Sequence, residues 1–496
     1  MRGNLAAASP LFSCYLLIEA ENGSFAVSAD PRETHEGRHY VKVAKFGGTS
    51  LANAAQIRKV CDIILADPDR RLVVVSAPGK RSPEDIKVTD LLIHCAQEYQ
   101  AHSKTGPAFD KTLARFTEIV RELGLAGGIL EKIRENLMRR LNSDREHEPR
   151  YVDVLKSAGE EYTAWITAAA LSAKGHEAHY ICPQEAGMVL SDEFGNAQVL
   201  PESYANLLAL KDAPGISVFP GFFGYTKAGD IATFPRGGSD ITGAILAAAV
   251  HADVYENFTD VNSVFAADPR VIGKPWPIRI LTYREMRELS YAGFAVFHEE
   301  AIRPAIHANI PICIKNTNDP EAPGTLILPH RVHTPGEVSG IAGSEGFCSL
   351  FIEKYLMNRM VGFGRRILRI LEDENIAFQH MPSGIDNLSV IMREERFAPE
   401  TEKRVVARIR KELEPDAVNV ERGLALIMLV GEGLCHTIGM ASRATSALAR
   451  ARVNIEMINQ GSTEISMMFG VKSGDRPAAI RALYDEFFGH KEPRDV

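Results

Sequence analysis

From residue 41 to about residue 280, short apolar runs alternate with longer stretches whose apolar positions return every three or four residues. Val41-Lys-Val-Ala-Lys45-Phe46 alternates like a buried strand. Gly47-Gly48-Thr49-Ser50 follows, and then Leu51, Ala54, Ile57, Val60, Ile63 and Ile64 share one helical face. Leu72–Ser76 predicts a second strand, ending at Ala77-Pro-Gly-Lys-Arg81. Thr89-Asp90 predicts a helix start that runs to about His102, and residues 108–146 read as long helices of mixed charge. Ser157-Ala-Gly-Glu160 opens a helix to Ala173, and a strand at His179–Cys182 and a hairpin around Glu193-Phe-Gly-Asn196 follow. A helix at Tyr204–Leu210 precedes a strand, Ile216–Phe219, that enters Pro220-Gly-Phe-Phe-Gly224. Next come a helix at Ile241–Val250 and a strand at Asp253–Asn257. This alternation predicts a mostly parallel sheet covered on both faces. In such sheets ligands bind beyond the carboxyl ends of the strands, where the polar clusters 45–50, 221–224, 236–240 and 259–260 all fall.

Further on the pattern changes. Residues 316–338 are rich in Asn, Asp, Pro and Gly, as linkers are. Beyond them the chain repeats itself at a spacing of 77 residues: Gly362 with Gly439, Gly384 with Gly461, Leu388 with Ile465, Ser389 with Ser466. Each copy reads strand, glycine loop, helix, strand, glycine turn, strand. The first has strands at Ser349–Met357, Ile376–His380 and Leu388–Met392, and the second at Leu424–Val430, Val453–Ile458 and Glu464–Val471. Self-similarity at a fixed period indicates duplicated small units, here of ferredoxin-like type. They suit either ligand-binding regulation or dimerisation alone.

Composition narrows the classes. A chain of 496 residues is long enough for about three domains. Hydrophobic content of 45% and charged content of 24% are those of a globular protein. A net charge of −8 speaks against nucleic-acid binding by charge alone, and no apolar run approaches a membrane span. The seven cysteines, Cys14, Cys61, Cys95, Cys182, Cys313, Cys348 and Cys435, show no metal-ligand spacing, so we expect reduced thiols, no disulfide and no structural metal. Residues 1–40 pair a short apolar stretch, Leu11–Ile18, with a polar tail. Arg2 is a weak basic start and Glu19-Ala-Glu21 a poor cleavage site, so a disordered extension is the expectation and a transit peptide the minor alternative.

The candidate chemistry centres on Thr233-Phe-Pro-Arg-Gly-Gly-Ser-Asp-Ile-Thr242 at the mouth of an apolar helix. Glycines let backbone N–H groups approach an anion, the helix start adds partial positive charge, and Arg236 offers a fork for carboxylate or phosphate. A glycine turn before a helix capped by Ser239 or Asp240 accounts for the same string. Lys45 ends an apolar strand. It either snorkels outward or holds a fixed cation against phosphate. Glu160 lies in a first helical turn, where the helix dipole alone favours an acid. Strand, glycine turn and helix at 41–64 suit phosphate binding, without the spacing of a P-loop or a dinucleotide fingerprint.

Taken together the motifs resemble those of aspartate kinases, members of the amino-acid kinase superfamily with C-terminal ACT domains. The resemblance rests on Lys45-Phe-Gly-Gly-Thr-Ser50, Ser157-Ala-Gly-Glu160, Gly221-Phe-Phe-Gly224, Arg236-Gly-Gly-Ser-Asp240, Thr259-Asp-Val261, Ala267-Asp-Pro-Arg270 and Asn316-Thr317. In the C-terminal part it rests on Met381-Pro-Ser-Gly-Ile-Asp386 and on Val453 through Ser466; it covers about 41–488. It implies a three-layer αβα amino-acid kinase (carbamate-kinase-like) fold followed by two ferredoxin-like ACT domains. The domains expected are an extension at 1–40, a catalytic domain at 41–318, a linker at 319–340, and ACT domains at 341–415 and 416–496. The implied reaction converts ATP and L-aspartate to ADP and 4-phospho-L-aspartate, the first step toward lysine, threonine and methionine. The cofactors implied are ATP and Mg²⁺, the metal entering with the nucleotide and not fixed by protein ligands.

The resemblance also implies residue roles. Lys45 and Asp240 are catalytic. Lys45 neutralises the transferring phosphoryl group, and Asp240 orients Lys45 and the metal instead of acting as a base, because the acceptor carboxylate is ionised at neutral pH. Arg236 clamps the α-carboxylate of aspartate, Glu160 its ammonium, and Ser239 and Thr49 add contacts. Gly47, Gly48 and Ser50 cradle phosphates, and Thr259, Asp260, Phe265 and Arg270 hold the nucleotide. Pro235 stands where many relatives have glycine, and Ala292-Gly-Phe-Ala-Val-Phe-His298 lacks a lysine they carry, which bears on nucleotide affinity. The ACT half implies feedback inhibition by lysine, with threonine possible. The expected effector site comprises Met360, Gly362, Phe363, Ser383, Gly384, Ile385 and Asp386, with Asn454, Ile455 and Gln460 from the second copy. A cytoplasmic homodimer or homotetramer assembled through the ACT domains is expected, with no nucleic-acid or membrane partner. The competing readings are a related amino-acid kinase with another acceptor and a non-catalytic amino-acid sensor.

Overall fold

The alternation in Lys42–Phe46 (β1) sorts its side chains onto two faces, as a strand must. Ala44 and Phe46 enter a large apolar cluster with Ile57, Val60, Val73, Val75 and Phe258, while Val43 and Lys45 face the other way. The computed structural model describes residues 17–21, 24–28, 40–294, 299–460 and 465–489, without the side chains of 17–21, 24–28 and 299–300. With β1, seven further strands form one sheet: Leu72–Val75 (β2), Ala178–Tyr180 (β3), Ile216–Pro220 (β4), Val254–Thr259 (β5), Ile280–Thr282 (β6), Ile312–Asn316 (β7) and Thr325–Leu328 (β8). Their spatial order is β6-β8-β7-β5-β1-β2-β4-β3, and every pairing is parallel except β7 with β8.

Helices cover this sheet. Ala54–Leu65 (α1) starts at Asn53, whose side chain accepts the Gln56 N–H at 3.0 Å. Val88–His102 (α2), Pro107–Leu123 (α3) and Ala158–Ala173 (α4) pack into the same apolar cluster as β1. Gly238–Ala249 (α5) lies against β1 and β5, and its glycine at 243 lets Tyr255 approach: a Cβ there would meet the Tyr255 hydroxyl at 2.6 Å.

Two expectations change. Residues 325–328, inside the expected linker, form a sheet strand, because Thr325-Leu-Ile-Leu328 buries three of its four residues beside β7. In the N-terminal segment, Leu17–Glu21 pairs antiparallel with Ser24–Ser28, although no ordered element was expected there. The rest of the expected extension, before Tyr40, lies outside the described residues.

The chain divides into two units, and 265–278, 284–296 and 332–496 make up the second. That unit is built on Gly340–Glu353 (β9), Phe378–His380 (β10), Asn387–Arg393 (β11), Ala417–Val430 (β12), Met457–Asn459 (β13) and Ser466–Lys472 (β14). They form one antiparallel sheet in the order β10-β11-β9-β12-β14-β13. The helices are Phe363–Asp373 (α6), Pro399–Leu413 (α7), Met440–Arg450 (α8) and Arg476–Phe488 (α9).

The two long strands serve both halves of the duplication. Residues 347–353 of β9 pair with β11 and with the first part of β12, whereas residues 340–345 pair with the second part of β12. Both strands change register near Gly346 (φ +85°) and Gly423 (φ +70°), positions related by the repeat spacing. Glycine allows the left-handed backbone that such a bulge needs. Module one is therefore 347–353, α6, β10, β11, α7 and 417–421. Module two is 424–430, α8, β13, β14, α9 and the returning strand 340–345. The expected boundary at 341 falls inside β9, and the one at 416 assigns all of β12 to the second domain although its first part belongs to module one.

On the face of the first sheet that carries Phe46, Arg70 donates from Nε to Glu256 Oε2 (2.6 Å), from Nη2 to Oε1 (3.1 Å) and from Nη1 to the Ile63 carbonyl (2.7 Å). The two residues are 9% and 5% exposed. Removing one partner of a buried pair leaves an uncompensated charge. Glu256→Ala is expected to destabilise the first unit by about 3–5 kcal/mol, read as a lowered urea midpoint; an unchanged midpoint would show that the pair is dispensable.

Candidate active site

The turn after β1 is the first part of the site. Gly48–Leu51 is a short 3₁₀ turn. A methyl group on Gly48 would lie 2.9 Å from the Ala77 carbonyl, and the Gly79 N–H donates to the Gly48 carbonyl at 2.8 Å. Two backbones thus meet where only glycine fits. The Gly47 N–H donates to the Phe258 carbonyl (3.1 Å), extending the ladder to β5, so this amide does not join the phosphate cradle expected of it. Ser50 is buried with its hydroxyl 2.7 Å from that of Thr317, so it ties the turn to the end of β7. The N–H groups of Gly48 and Thr49 have no partner among the described residues, and Thr49 is exposed.

Lys45 pairs in register with Asn257 on β5, so both side chains leave the same face of the sheet. They meet over α5. Lys45 Nζ lies 2.6 Å from Asp240 Oδ1, and Asn257 Nδ2 donates to the same oxygen. The Tyr255 hydroxyl donates to the Asp240 carbonyl at 3.2 Å. Lys45 therefore does not snorkel outward; its side chain is 8% exposed, against 19% for Asp240. Asn257 and Tyr255 escaped the sequence reading because they sit inside an ordinary strand; their offset of two residues on one face was the available signal.

Helix α5 begins at Gly238 with Gly237 (φ +79°) before it, and no side chain caps it. The cap expected from Ser239 or Asp240 is absent because both already lie in the first turn. The N–H groups of Gly238, Ser239 and Asp240 are unpartnered among the described residues, and the Ile241 N–H donates to the Gly237 carbonyl at 3.0 Å. Three open amides at a helix start form an anion site. Ser239 is buried against Gly221, where a Cβ would meet its Cβ at 2.7 Å. Phe222 has φ +76°, a left-handed conformation that costs a non-glycine residue roughly 1–2 kcal/mol. The Phe222 N–H donates to Thr242 Oγ1 (3.0 Å) and its carbonyl accepts from Phe234 (2.9 Å), which hold it there. Pro235, with its fixed φ, joins Phe234 to Arg236, which is exposed and has no ion pair among the described residues.

Glu160 stands in the first turn of α4 and is buried. The Ala77 amide favours its charged form, and the carbonyl of the same residue approaches Gly48, so the acid and the glycine turn adjoin one residue. Burial pushes its pKa from 4.5 to about 8, against the pull of the Ala77 and Glu160 amides and the Lys156 charge. Its Oε2 atom is buried without any partner among the described residues. Lys156 is held by Asp153 at 2.7 Å.

The nucleotide-side residues are divided. Thr259 ends β5 and Asp260 follows it, and the Thr259 hydroxyl donates to Asp260 Oδ1 at 3.1 Å. Phe265 and Arg270 belong to the second unit, where Arg270 forks onto Asp268. Ala295–His298 lie outside the described residues.

Among the expected effector residues, Gly362 (φ +79°) precedes α6, whose first residue is Phe363, and Met360 donates to the Met357 carbonyl at 2.9 Å. The facing turn Ser383–Asp386 joins this loop: Asn358 N–H bonds the Ile385 carbonyl (3.1 Å), and Asp386 Oδ1 accepts the Leu356 N–H (2.8 Å). Gly384 closes that turn by donating to the Asn387 carbonyl at 2.8 Å. Asn454, Ile455 and Gln460 lie in module two, on either side of β13; Asn454 donates to Glu456 at 3.0 Å.

Comparison with known proteins bears on this geometry. Residues 41–316 match the model of the amino acid kinase family, and 427–487 match that of an ACT domain. The chain is 52% identical over 448 residues to aspartokinase 3 of Bacillus subtilis (strain 168), covering 90% of this chain and 99% of that protein. The crystal structure of Clostridium acetobutylicum aspartate kinase resembles it with a TM-score of 0.79 at 39% identity, over 90% of this chain and 100% of that one. Escherichia coli aspartokinase III resembles it with a TM-score of 0.71 and 26% identity in complex with aspartate and ADP (R-state), over 90% of this chain and 100% of that one. In complex with lysine and aspartate (T-state) it does so with 0.71 and 25%, over 90% and 99%.

The raised Glu160 pKa makes a prediction that needs no substrate. Between its ordinary value of 4.5 and about 8 the folded chain holds a proton that the unfolded chain has lost, so the acid's contribution to stability falls as pH rises through that window. Glu160→Gln removes this dependence. The melting temperature of the variant minus that of the wild type is expected to grow from pH 5 to 8 and to level off above; a difference that stays flat would mean the acid is ionised throughout.

Proposed function

The chain belongs to the amino acid kinase family and, within it, to the aspartokinases, and on that premise we propose how its site works. It is an enzyme of amino-acid biosynthesis that phosphorylates aspartate with ATP and carries ACT-domain regulation. The observation that carries the mechanistic reading is the buried Glu160 carboxyl, with an unpartnered oxygen beside the phosphate turn. A carboxylate desolvated in this way calls for a cation, and the ammonium group of an amino-acid substrate supplies one.

In this reading the substrate lies with its ammonium on Glu160 and its α-carboxylate on Arg236, which is exposed and free to receive it. Ser239 and Thr49 add hydrogen bonds. The side-chain carboxylate then faces the γ-phosphate and needs no base, since it is ionised at neutral pH. What the reaction requires is in-line placement and relief of repulsion between two anions. Lys45 carries the fixed positive charge, and the amides of Gly48, Thr49, Gly238, Ser239 and Asp240 add oriented dipoles. Asp240, held by Asn257, keeps Lys45 in place. Thr259 and Asp260 serve the nucleotide.

Among the described residues there is no cluster of three or more His, Cys, Asp or Glu able to cage a metal ion. In the proposed reading magnesium enters on the nucleotide phosphates, and Asp240 is the carboxylate that would face it. When bound, it neutralises phosphate charge. For regulation we propose lysine as the effector, seated between the start of α6 and the turn Ser383–Asp386. The open left-handed start at Gly362 suits its carboxylate, and Asp386 its ammonium. Binding inhibits only through different affinity for two conformations. Val361 and Ile438, 95% and 100% exposed at repeat-related positions, give each module an apolar tip that favours assembly through the ACT modules. No described helix is long and apolar enough to cross a membrane.

An ADP-release assay over a panel of amino acids tests the acceptor. Turnover with aspartate is expected, and turnover only with another acid would favour a different acceptor. Lys45→Ala is expected to lower kcat by about 10²–10³-fold; an unchanged kcat would overturn the role of Lys45. Asp386→Ala is expected to keep activity while raising the lysine concentration needed for half inhibition several-fold, and unaltered inhibition would remove this effector site.

A further inference from the structure

Helix α3 carries a residue that no motif singled out. Arg115 is 4% exposed and lies behind the glycine turn. Its Nη2 donates to the Gly79 carbonyl (2.6 Å) and to the Ala52 carbonyl (3.0 Å), and its Nη1 to Asp85 Oδ2 (2.6 Å). Ala52 directly follows the turn Gly48–Leu51. Gly79 belongs to the loop after β2 and donates to Gly48 at 2.8 Å; a Cβ on Gly79 would lie 2.6 Å from the Gly48 carbonyl carbon. One guanidinium therefore bonds the backbones of both loops where they touch.

A buried arginine is tolerated only with partners. Here Asp85 supplies the counter-charge, and Arg81 binds that carboxylate too (2.9 Å), then reaches Glu118 (2.7 Å). The Asp85 carboxyl is held well below its ordinary pKa, first by the Arg81 side chain and also by Arg115. A cavity of about 340 Å³ lined by Arg81, Asp85, Ile86, Lys111, Arg115 and Glu118 opens beside them.

We propose that Arg115 is a positioning residue for phosphoryl transfer, which locks the turn 47–52 and the loop 76–81 into one rigid cradle. This rests on the kinase reading above. The unpartnered amides of Gly48 and Thr49 bind phosphate only if their peptide planes stay fixed, and displacement of about 1 Å at such a site can cost 10²-fold in rate. Lysine cannot replace the fork, since it lacks the planar set of donors that reaches two carbonyls and a carboxylate together.

The experiment compares Arg115→Ala, Arg115→Lys and Asp85→Asn with wild type in steady-state assays using ATP and aspartate. In Arg115→Ala, kcat is expected to fall about 10–100-fold and the KM for ATP to rise by more than the KM for aspartate. Millimolar methylguanidinium, entering through the adjacent cavity, is expected to restore part of kcat in Arg115→Ala and to leave wild type unaffected. Arg115→Lys should recover little. Asp85→Asn, which keeps the carbonyl bonds, should show a weaker loss of the same kind, and it remains readable if Arg115→Ala does not fold. Unchanged kcat in Asp85→Asn and Arg115→Ala would overturn the proposal. So would a loss in Arg115→Ala with a lowered melting temperature, no methylguanidinium rescue and an equal rise in both KM values. Absence of wild-type turnover with aspartate would instead sink the kinase reading.

Discussion

The contact on which the catalytic unit depends is that between Lys45 and Asp240. Three independent constraints meet in it. The period of two in β1 puts Lys45 opposite Phe46, one toward α5 and one toward the apolar cluster. The parallel register with β5 sets Asn257 beside Lys45. The start of α5, fixed by left-handed Gly237, delivers Asp240 in the first helical turn above both. A slip of one residue in β1 would send the ammonium into the layer where Phe46 and Phe258 stack with centroids 4.7 Å apart. The apolar layer thus enforces the register on which the polar layer relies. The buried Arg70–Glu256 pair braces the same strand, β5, from that opposite face.

Much of this was legible in the sequence. The alternating pattern located five of the eight strands of the first sheet, and the clusters at 45–50 and 259–260 do lie at the carboxyl ends of the adjacent parallel strands β1 and β5, with Asp240 of the third cluster brought against Lys45. What stayed hidden was the partnership of individual groups. Gly47 and Ser50 belong to the glycine motif, yet one amide continues the ladder to Phe258 and one hydroxyl binds Thr317. A motif states which residues gather, whereas a hydrogen-bond account states which are still free. Arg115 was invisible because a helix of mixed charge looks like a solvated face until its burial is known. Strand 325–328 was hidden by the Pro- and Gly-rich turn chemistry on either side of it.

The regulatory unit shows the same division. The spacing of 77 residues revealed the duplication, and the glycines before α6 and α8 occupy repeat-related places, both left-handed. It could not reveal that β9 and β12 exchange their halves. An alternating strand looks the same whether one partner or two lie beside it, and the break is marked only by Gly346 and Gly423. The exchange has a mechanical consequence: the stretch entering the unit at 340–345 is a strand of module two, while its continuation is a strand of module one. No displacement of either module leaves the other's backbone ladder untouched, so a change at one effector loop is shared through hydrogen bonds that already exist.

Charge balance explains why the catalytic unit can hold such a site empty. Lys45 is compensated by Asp240, and Glu160 is biased toward its neutral form by burial. Neither group leaves an unbalanced charge inside the fold, which would be costly. In the proposed binding mode an acceptor's ammonium group reverses the bias on Glu160, since an adjacent cation lowers a carboxyl pKa, and the proton leaves as the ion pair forms. In the same proposed mode a polyphosphate brings its own negative charge to Lys45 and to the open amides of two turns. Strong binding of both is compatible with a stable unliganded fold because the compensating groups, Asp240 and a proton, are already there.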